Sequence, residues 1–174
     1  KYPAMLEEEI LNRLRLHISS IIEQIGFSTG SCHMEMKLVQ GEWKLIEINP
    51  RMSGGAMNRI IEEGTGINLL KEILKVYLGE EFSFIKTRKK YVYARYLTIE
   101  KRGKLLRVIG KERALEHDDI KYVHIKPKIG RVLKRPYSMG DRYACIVAAS
   151  ESAKQAEENT LAAAKEIKFY MEPF

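Results

Sequence analysis

Two glutamates twelve residues apart, Glu35 and Glu47, carry the most informative chemistry in this sequence. Glu47 continues into Ile48-Asn49-Pro50-Arg51 and then Met52-Ser53-Gly54-Gly55. Around each glutamate, apolar and polar residues alternate: Met34, Met36 and Leu38 against His33, Glu35 and Lys37, then Ile46 and Ile48 against Glu47 and Asn49. Alternation of this kind marks strands, and Gln40-Gly41-Glu42 between the two runs predicts a hairpin. A register that keeps Met34, Met36, Ile46 and Ile48 on one buried face pairs 36 with 46 and 34 with 48. Glu35 then lies opposite Glu47, and the period of two places Asn49 and Arg51 on the face of Glu47.

Two carboxylates side by side on a sheet repel each other. A hard divalent cation relieves that repulsion, and Mg²⁺ takes one or two carboxylates together with phosphate oxygens and water. Asn49 adds a neutral oxygen, Arg51 a fork suited to phosphate, and Gly54-Gly55 a flexible entry to a helix whose free N–H groups suit an anionic oxygen. Read one at a time, these residues are better explained as the wet face of a strand. Read together, they describe a metal–phosphate site.

The elements that must hold this face are legible on either side. Leu6, Ile10, Leu11, Leu14, Ile18, Ile21, Ile22 and Ile25 recur at three- and four-residue steps and predict a first helix, with Pro3 at its start, acids in its first turn and Gly26 at its end. After Gly55 a second helix is interrupted at Gly64-Thr65-Gly66 and resumes over about 68–78. Residues 79–90 read as a basic linker. Strands are expected at 91–99 and 105–109, joined across Lys101-Arg102-Gly103, and again at 122–125 and 143–149. A closing helix is expected over 153–170, with Ser152 and Gln155 as a capping box.

The chain has 174 residues, 45% hydrophobic and 30% charged, which supports a packed core and excludes wholesale disorder. No apolar run reaches the ~20 residues of a membrane helix. The opening stretch reads as an amphipathic helix, not a secretory leader, and two cysteines, Cys32 and Cys145, make no disulfide framework, so a cytoplasmic location is expected. The net charge of +7 is regional. Residues 81–145 hold 18 Lys and Arg against 7 Asp and Glu, whereas residues 1–80 hold 9 against 11. That middle region leaves open a nucleic-acid-binding module, although a solvated basic face is the simpler reading. His117 and His124 have no partners at zinc spacing, and His17 and His33 read as polar surface or strand residues.

The segment His33-Met-Glu35, a short hairpin, and Leu45-Ile-Glu-Ile-Asn-Pro-Arg-Met-Ser-Gly-Gly55 resembles the metal-binding segment of ATP-grasp enzymes, in particular the carboxylate–amine ligases that include the L-amino-acid ligases. The helix before it, the Gly-Thr-Gly-Ile-Asn-Leu helix after it and the strand and helix of 143–170 follow the same order. The resemblance implies an α+β chain: residues 1–86 as the C-terminal, metal-binding half of an ATP-grasp domain with antiparallel sheet and helices, and 87–174 as a small β-rich domain closed by a helix.

It further implies ATP with Mg²⁺ or Mn²⁺ as cofactors. Glu35, Glu47 and Asn49 would be the metal ligands. Arg51 would be the catalytic residue, sharing the phosphates with Gly54 and Gly55. A carboxylate and an amine would be the substrates. No segment matches the family's nucleotide-clamping half, so a missing N-terminal half is an expected partner and the fragment alone is expected to be inactive. A homodimer is compatible with this picture, nucleic acid is not expected, and a non-catalytic ATP-grasp-like domain is the other alternative.

Overall fold

The structure is a computed structural model that describes residues 1–173. The chain folds as two compact units.

One unit comprises residues 4–58 and 67–85. Helix α1 runs over Glu8–Gln24, with Glu8 and Glu9 at its positively polarised start. Pro3 lies well before that start, so the helix begins later than the sequence predicts. Gly26 follows the helix with φ +67°, a conformation that glycine adopts at little cost. Strands β1 (His33–Val39) and β2 (Glu42–Asn49) form an antiparallel hairpin. Gln40 and Gly41 both have positive φ, 50° and 81°, as the mirror-image turn of a two-residue hairpin loop requires. Two bonds tie the hairpin to α1. The Trp43 indole N–H donates to the Ile10 carbonyl at 3.1 Å, and the Arg13 guanidinium donates to the Gly41 carbonyl.

Helix α3 (Leu69–Leu78) is stopped at both ends by its sequence. Asn68 accepts the Lys71 N–H at 3.0 Å as N-cap, and Gly79 takes the left-handed conformation at the C-terminus. The predicted linker is held back onto this helix. The Ser83 N–H donates to Glu72 Oε2 at 2.7 Å, which with Lys75 keeps the Glu72 carboxyl below its usual range.

The other unit comprises residues 1–3, 59–66 and the chain from Lys86 on. Helix α2 (Met57–Thr65) contributes most of its length here. The first sheet has the order β3-β7-β5, from Tyr91–Leu97, Ala144–Ser150 and Ile120–Ile125, all antiparallel. Tyr2 extends the free edge of β3 through paired backbone bonds with Val92 of 2.8 and 2.7 Å. The central strand β7 is buried along its whole length. Its side chains Ala144, Ala148 and Ala149 are small, which fits close cover by helix α5 (Ala153–Ala164), whose buried residues are Ala156, Thr160 and Ala163. Thr160 satisfies its hydroxyl on the Ala156 carbonyl at 2.7 Å. Helix α4 (Lys111–Glu116) packs on β5, and Ala114, Val123, Ile146, Ala163 and Ile167 form one core. The second sheet has the order β6-β4-β8, from Val132–Leu133, Gly103–Ile109 and Lys168–Pro173, around Ile99, Leu105, Leu133 and Tyr143.

Three sequence expectations change. The strands at 91–97 and 103–109 are consecutive but do not pair, because each finds its partners in a different sheet. The closing helix ends at Ala164 instead of 170. Beyond it Lys168, Phe169, Tyr170 and Met171 alternate outward and inward as β8, with Phe169 and Met171 packed on the cores. Phe169 and Met171, two residues apart, share the inward face of a strand, and Phe and Tyr fit a pleated surface well. Ser152 caps α5 by accepting the Gln155 N–H at 3.1 Å, but the Gln155 side chain reaches forward to Asn159, so the reciprocal half of a capping box is absent.

Candidate metal–phosphate site

The hairpin register decides what the two glutamates can do. Met34 pairs with Ile48 and Glu35 with Glu47, as the alternation predicts, and His33 pairs with Asn49. Directly opposed residues place their Cβ atoms about 4.5–5.5 Å apart on the same face. The carboxylate pair and the His33–Asn49 pair are therefore successive rungs on one face.

The next rung departs from the expectation. Met36 pairs with Leu45 instead of Ile46, because the register shifts between Glu35 and Met36. A bulge sets two residues of β2 against one of β1 and bends the strand where the glutamates stand. Ile46, expected on the buried face, is 61% exposed.

Arg51 is reached differently from the sequence reading. The strand ends at Asn49, and the Arg51 N–H turns back to the Asn49 carbonyl at 2.7 Å around Pro50. The guanidinium is exposed and donates to the Met52 carbonyl at 3.0 Å. Gly55 has φ +66°, and a side chain added at Gly54 would meet open space. Helix α2 begins two residues after Gly55, so the glycines lie in the turn before the helix.

The donor set fits a hard cation. Glu35 and Glu47 are both exposed, and among the described residues neither has an ion-pair or hydrogen-bond partner. Among the described residues no group of three or more His, Cys, Asp and Glu forms a metal cluster. A cation held here would have to draw on the two carboxylates, the Asn49 carboxamide and oxygens from outside the chain, a set that suits Mg²⁺ or Mn²⁺ better than zinc. Sequence reasoning passed over two further groups in this unit. His33 Nδ1 and Asn58 Oδ1 are buried side-chain atoms without a hydrogen-bond partner. Only burial reveals them, since His33 reads as an ordinary polar strand residue.

The remaining histidines take no part in a metal cluster. His124 stacks on Tyr122, and His117 lies 3.8 Å from the Glu166 carboxylate. Much of the basic middle region is also engaged. Arg113 pairs with Glu166 and Lys90 with Glu151, while Arg107 and Arg142 lie over Tyr170 and Tyr96. No helix is long and apolar enough to cross a membrane among the described residues.

Comparison with known proteins shows what each part of the chain is similar to. Residues 3–85 match the family model of the carbamoyl-phosphate synthase L chain ATP binding domain. The phosphoribosylglycinamide synthetase of Anaerococcus prevotii superposes on 98% of the chain with a TM-score of 0.88 at 18% identity. The chain shares the fold of this synthetase, and its first half is similar in sequence to an ATP-binding domain. Its particular affinity is narrower. Residues 95–172 match the L-amino acid ligase C-terminal domain 2, and the L-amino acid ligase of Bacillus licheniformis covers 98% of the chain with a TM-score of 0.81 at 18% identity. The protein y4rH of Sinorhizobium fredii is 24% identical over 173 residues, 99% of this chain. The chain spans 36% of the length of y4rH, and 44% and 43% of the two solved structures.

Proposed function

We propose that this chain supplies the metal–phosphate half of an ATP-dependent ligase that joins a carboxylate to an amine. The observation that carries the reading is the directly opposed Glu35–Glu47 pair, set by strand register beside Asn49 and without an ion-pair partner among the described residues. The two family matches, one on each side of residue 90, support it.

In this reading residues 1–86 hold the phosphates and 87–174 form the accompanying β-rich domain. Glu35, Glu47 and Asn49 hold Mg²⁺ or Mn²⁺, which neutralises phosphoryl charge. Arg51, free of any carboxylate partner among the described residues, directs its fork at the transferring phosphoryl group. Gly54 and Gly55 let backbone N–H groups approach the phosphate oxygens. A substrate carboxylate oxygen bonds to the γ-phosphorus as ADP leaves. The amine nitrogen then bonds to the acyl carbon, phosphate leaves, and the nitrogen gives up a proton. In this reading the adenine and ribose are held outside this chain, and the chain alone is inactive.

Calorimetric titration with Mn²⁺ tests the metal site directly. Wild type is expected to bind saturably. Glu35→Gln and Glu47→Gln are each expected to weaken binding by about 10–100-fold or more, the range seen when even the supporting partners of a metal ligand are lost. The melting temperature should hold or rise, since each substitution removes one of two repelling charges. Wild-type Mn²⁺ affinity in both variants would overturn the site.

A further inference from the structure

A second concentration of charge lies in the unit that contains the two three-stranded sheets. A cavity of about 60 Å³ is lined by Lys126, Arg131, Lys134, Gly140, Asp141 and Tyr143, among others. Its frame is fixed by hydrogen bonds. The Tyr143 hydroxyl accepts the Lys134 N–H and donates to the Lys134 carbonyl, both at 3.1 Å. Asp141 accepts the N–H groups of Tyr137 and Ser138 at 3.0 and 3.1 Å. These bonds, with the more distant Lys134 ammonium, hold the Asp141 carboxyl below its usual range against the opposing effect of burial. The carboxylate is thus committed to the loop and largely spent.

The cations are not spent. Lys126 Nζ donates to the Gly140 carbonyl at 2.7 Å, which uses one of its three hydrogens. Lys134 Nζ is 3.8 Å from Asp141, and its side chain is 61% exposed. Among the described residues the Arg131 guanidinium has no hydrogen-bond or ion-pair partner. Three cations against one carboxylate leave two positive charges around the same small space. One water needs roughly 10–15 Å³ of such volume, so the cavity has room for a compact tetrahedral anion and none for a nucleoside.

We propose that the cavity bounded by Lys126, Arg131 and Lys134 binds a phosphate group, a compact oxyanion whose two negative charges match the local excess. The Arg131 fork gives paired bonds to two phosphate oxygens, and the lysines add point charges with unused donors. The site is independent of the hairpin glutamates. Its occupant is either inorganic phosphate or the terminal phosphate of a small monoester.

Backbone-amide NMR of the whole chain, titrated with inorganic phosphate at ionic strength held constant with sodium chloride, tests it. Saturable shifts are expected at Arg131, Val132, Gly140 and Tyr143. Arg131→Gln combined with Lys134→Gln should abolish them. Lys89→Gln combined with Lys154→Gln removes the same charge away from the cavity and should leave them intact. Phenyl phosphate distinguishes the sources: shifts at the same amides assign a monoester site, and shifts with inorganic phosphate alone assign a closed phosphate site. Unsaturable shifts that sodium chloride reproduces, or shifts that persist in the Arg131/Lys134 variant, would overturn the proposal. The substituted cavity side chains lie on the surface, so the variant's spectrum should keep the dispersion of the folded chain.

Discussion

Arg51→Ala is expected to slow ligation by about 10²–10³-fold in a polypeptide that unites this chain with the nucleotide-holding half, a loss of the size seen on removing one transition-state donor. The melting temperature should barely move. Arg51 is exposed, and its guanidinium donates only to the neighbouring Met52 carbonyl. Exposed substitutions that disturb so little usually change stability by less than about 0.5 kcal/mol. Arg51→Lys should also fail, because an ammonium does not reproduce two parallel bonds to phosphate oxygens. Turnover against magnesium concentration is the measurement. Wild-type turnover of Arg51→Ala at saturating Mg-ATP would remove Arg51 from the chemistry. A loss fully restored by excess magnesium would assign it to metal retention.

The largest effect on folding is expected at Gly110. It precedes α4 with φ +91°, and a Cβ there would stand 2.0 Å from the Glu166 carbonyl oxygen and 2.6 Å from its carbon. Both obstacles are backbone, so no side-chain rotation relieves them. The left-handed conformation costs an alanine about 1–2 kcal/mol and the overlap about 1–3 more, for a loss of about 2–5 kcal/mol. Denaturant unfolding of Gly110→Ala measures it. The loss should appear as a lower midpoint with little change in slope, which distinguishes a destabilised native state from an altered denatured one. A midpoint at the wild-type value would show that the backbone at Glu166 yields easily.

The hairpin was readable because both its strands alternate strictly through the glutamates. Slipping Glu35 past Glu47 would send Met34 and Ile48 outward, and the pattern forbids it. The bulge was not readable, since Leu45 and Ile46 are both apolar and either satisfies a pairing with Met36. The turn at Pro50 was likewise hidden, because a period of two simply runs on through Pro50 to Arg51, whereas the strand ends at Asn49.

Helices α1 and α3 announced themselves through their apolar spacing, and α1 also through Gly26 at its end. The partnership of β4 with β8 joins residues far apart along the chain, which no local pattern encodes. Strand β6 is two residues long and leaves no periodic trace. The cavity residues were visible only as part of a charge excess. Which of those charges meet depends on how Tyr143 and Asp141 fold the intervening loop.

The wholly buried β7 has a consequence for how the molecule opens. Its backbone is bonded on both edges, to β3 and β5, and its faces lie under small, closely packed side chains. Its amide protons can reach solvent only when that sheet comes apart, so their exchange with deuterium should be the slowest in the chain and report the free energy of cooperative unfolding of that unit. The β1–β2 ribbon has two strands and no third, and such ribbons hold together weakly by themselves. Its amides should exchange through local opening at far lower cost. The strands proposed to grip the metal would then be among the least protected in the protein, and a bound cation would slow their exchange without slowing that of β7.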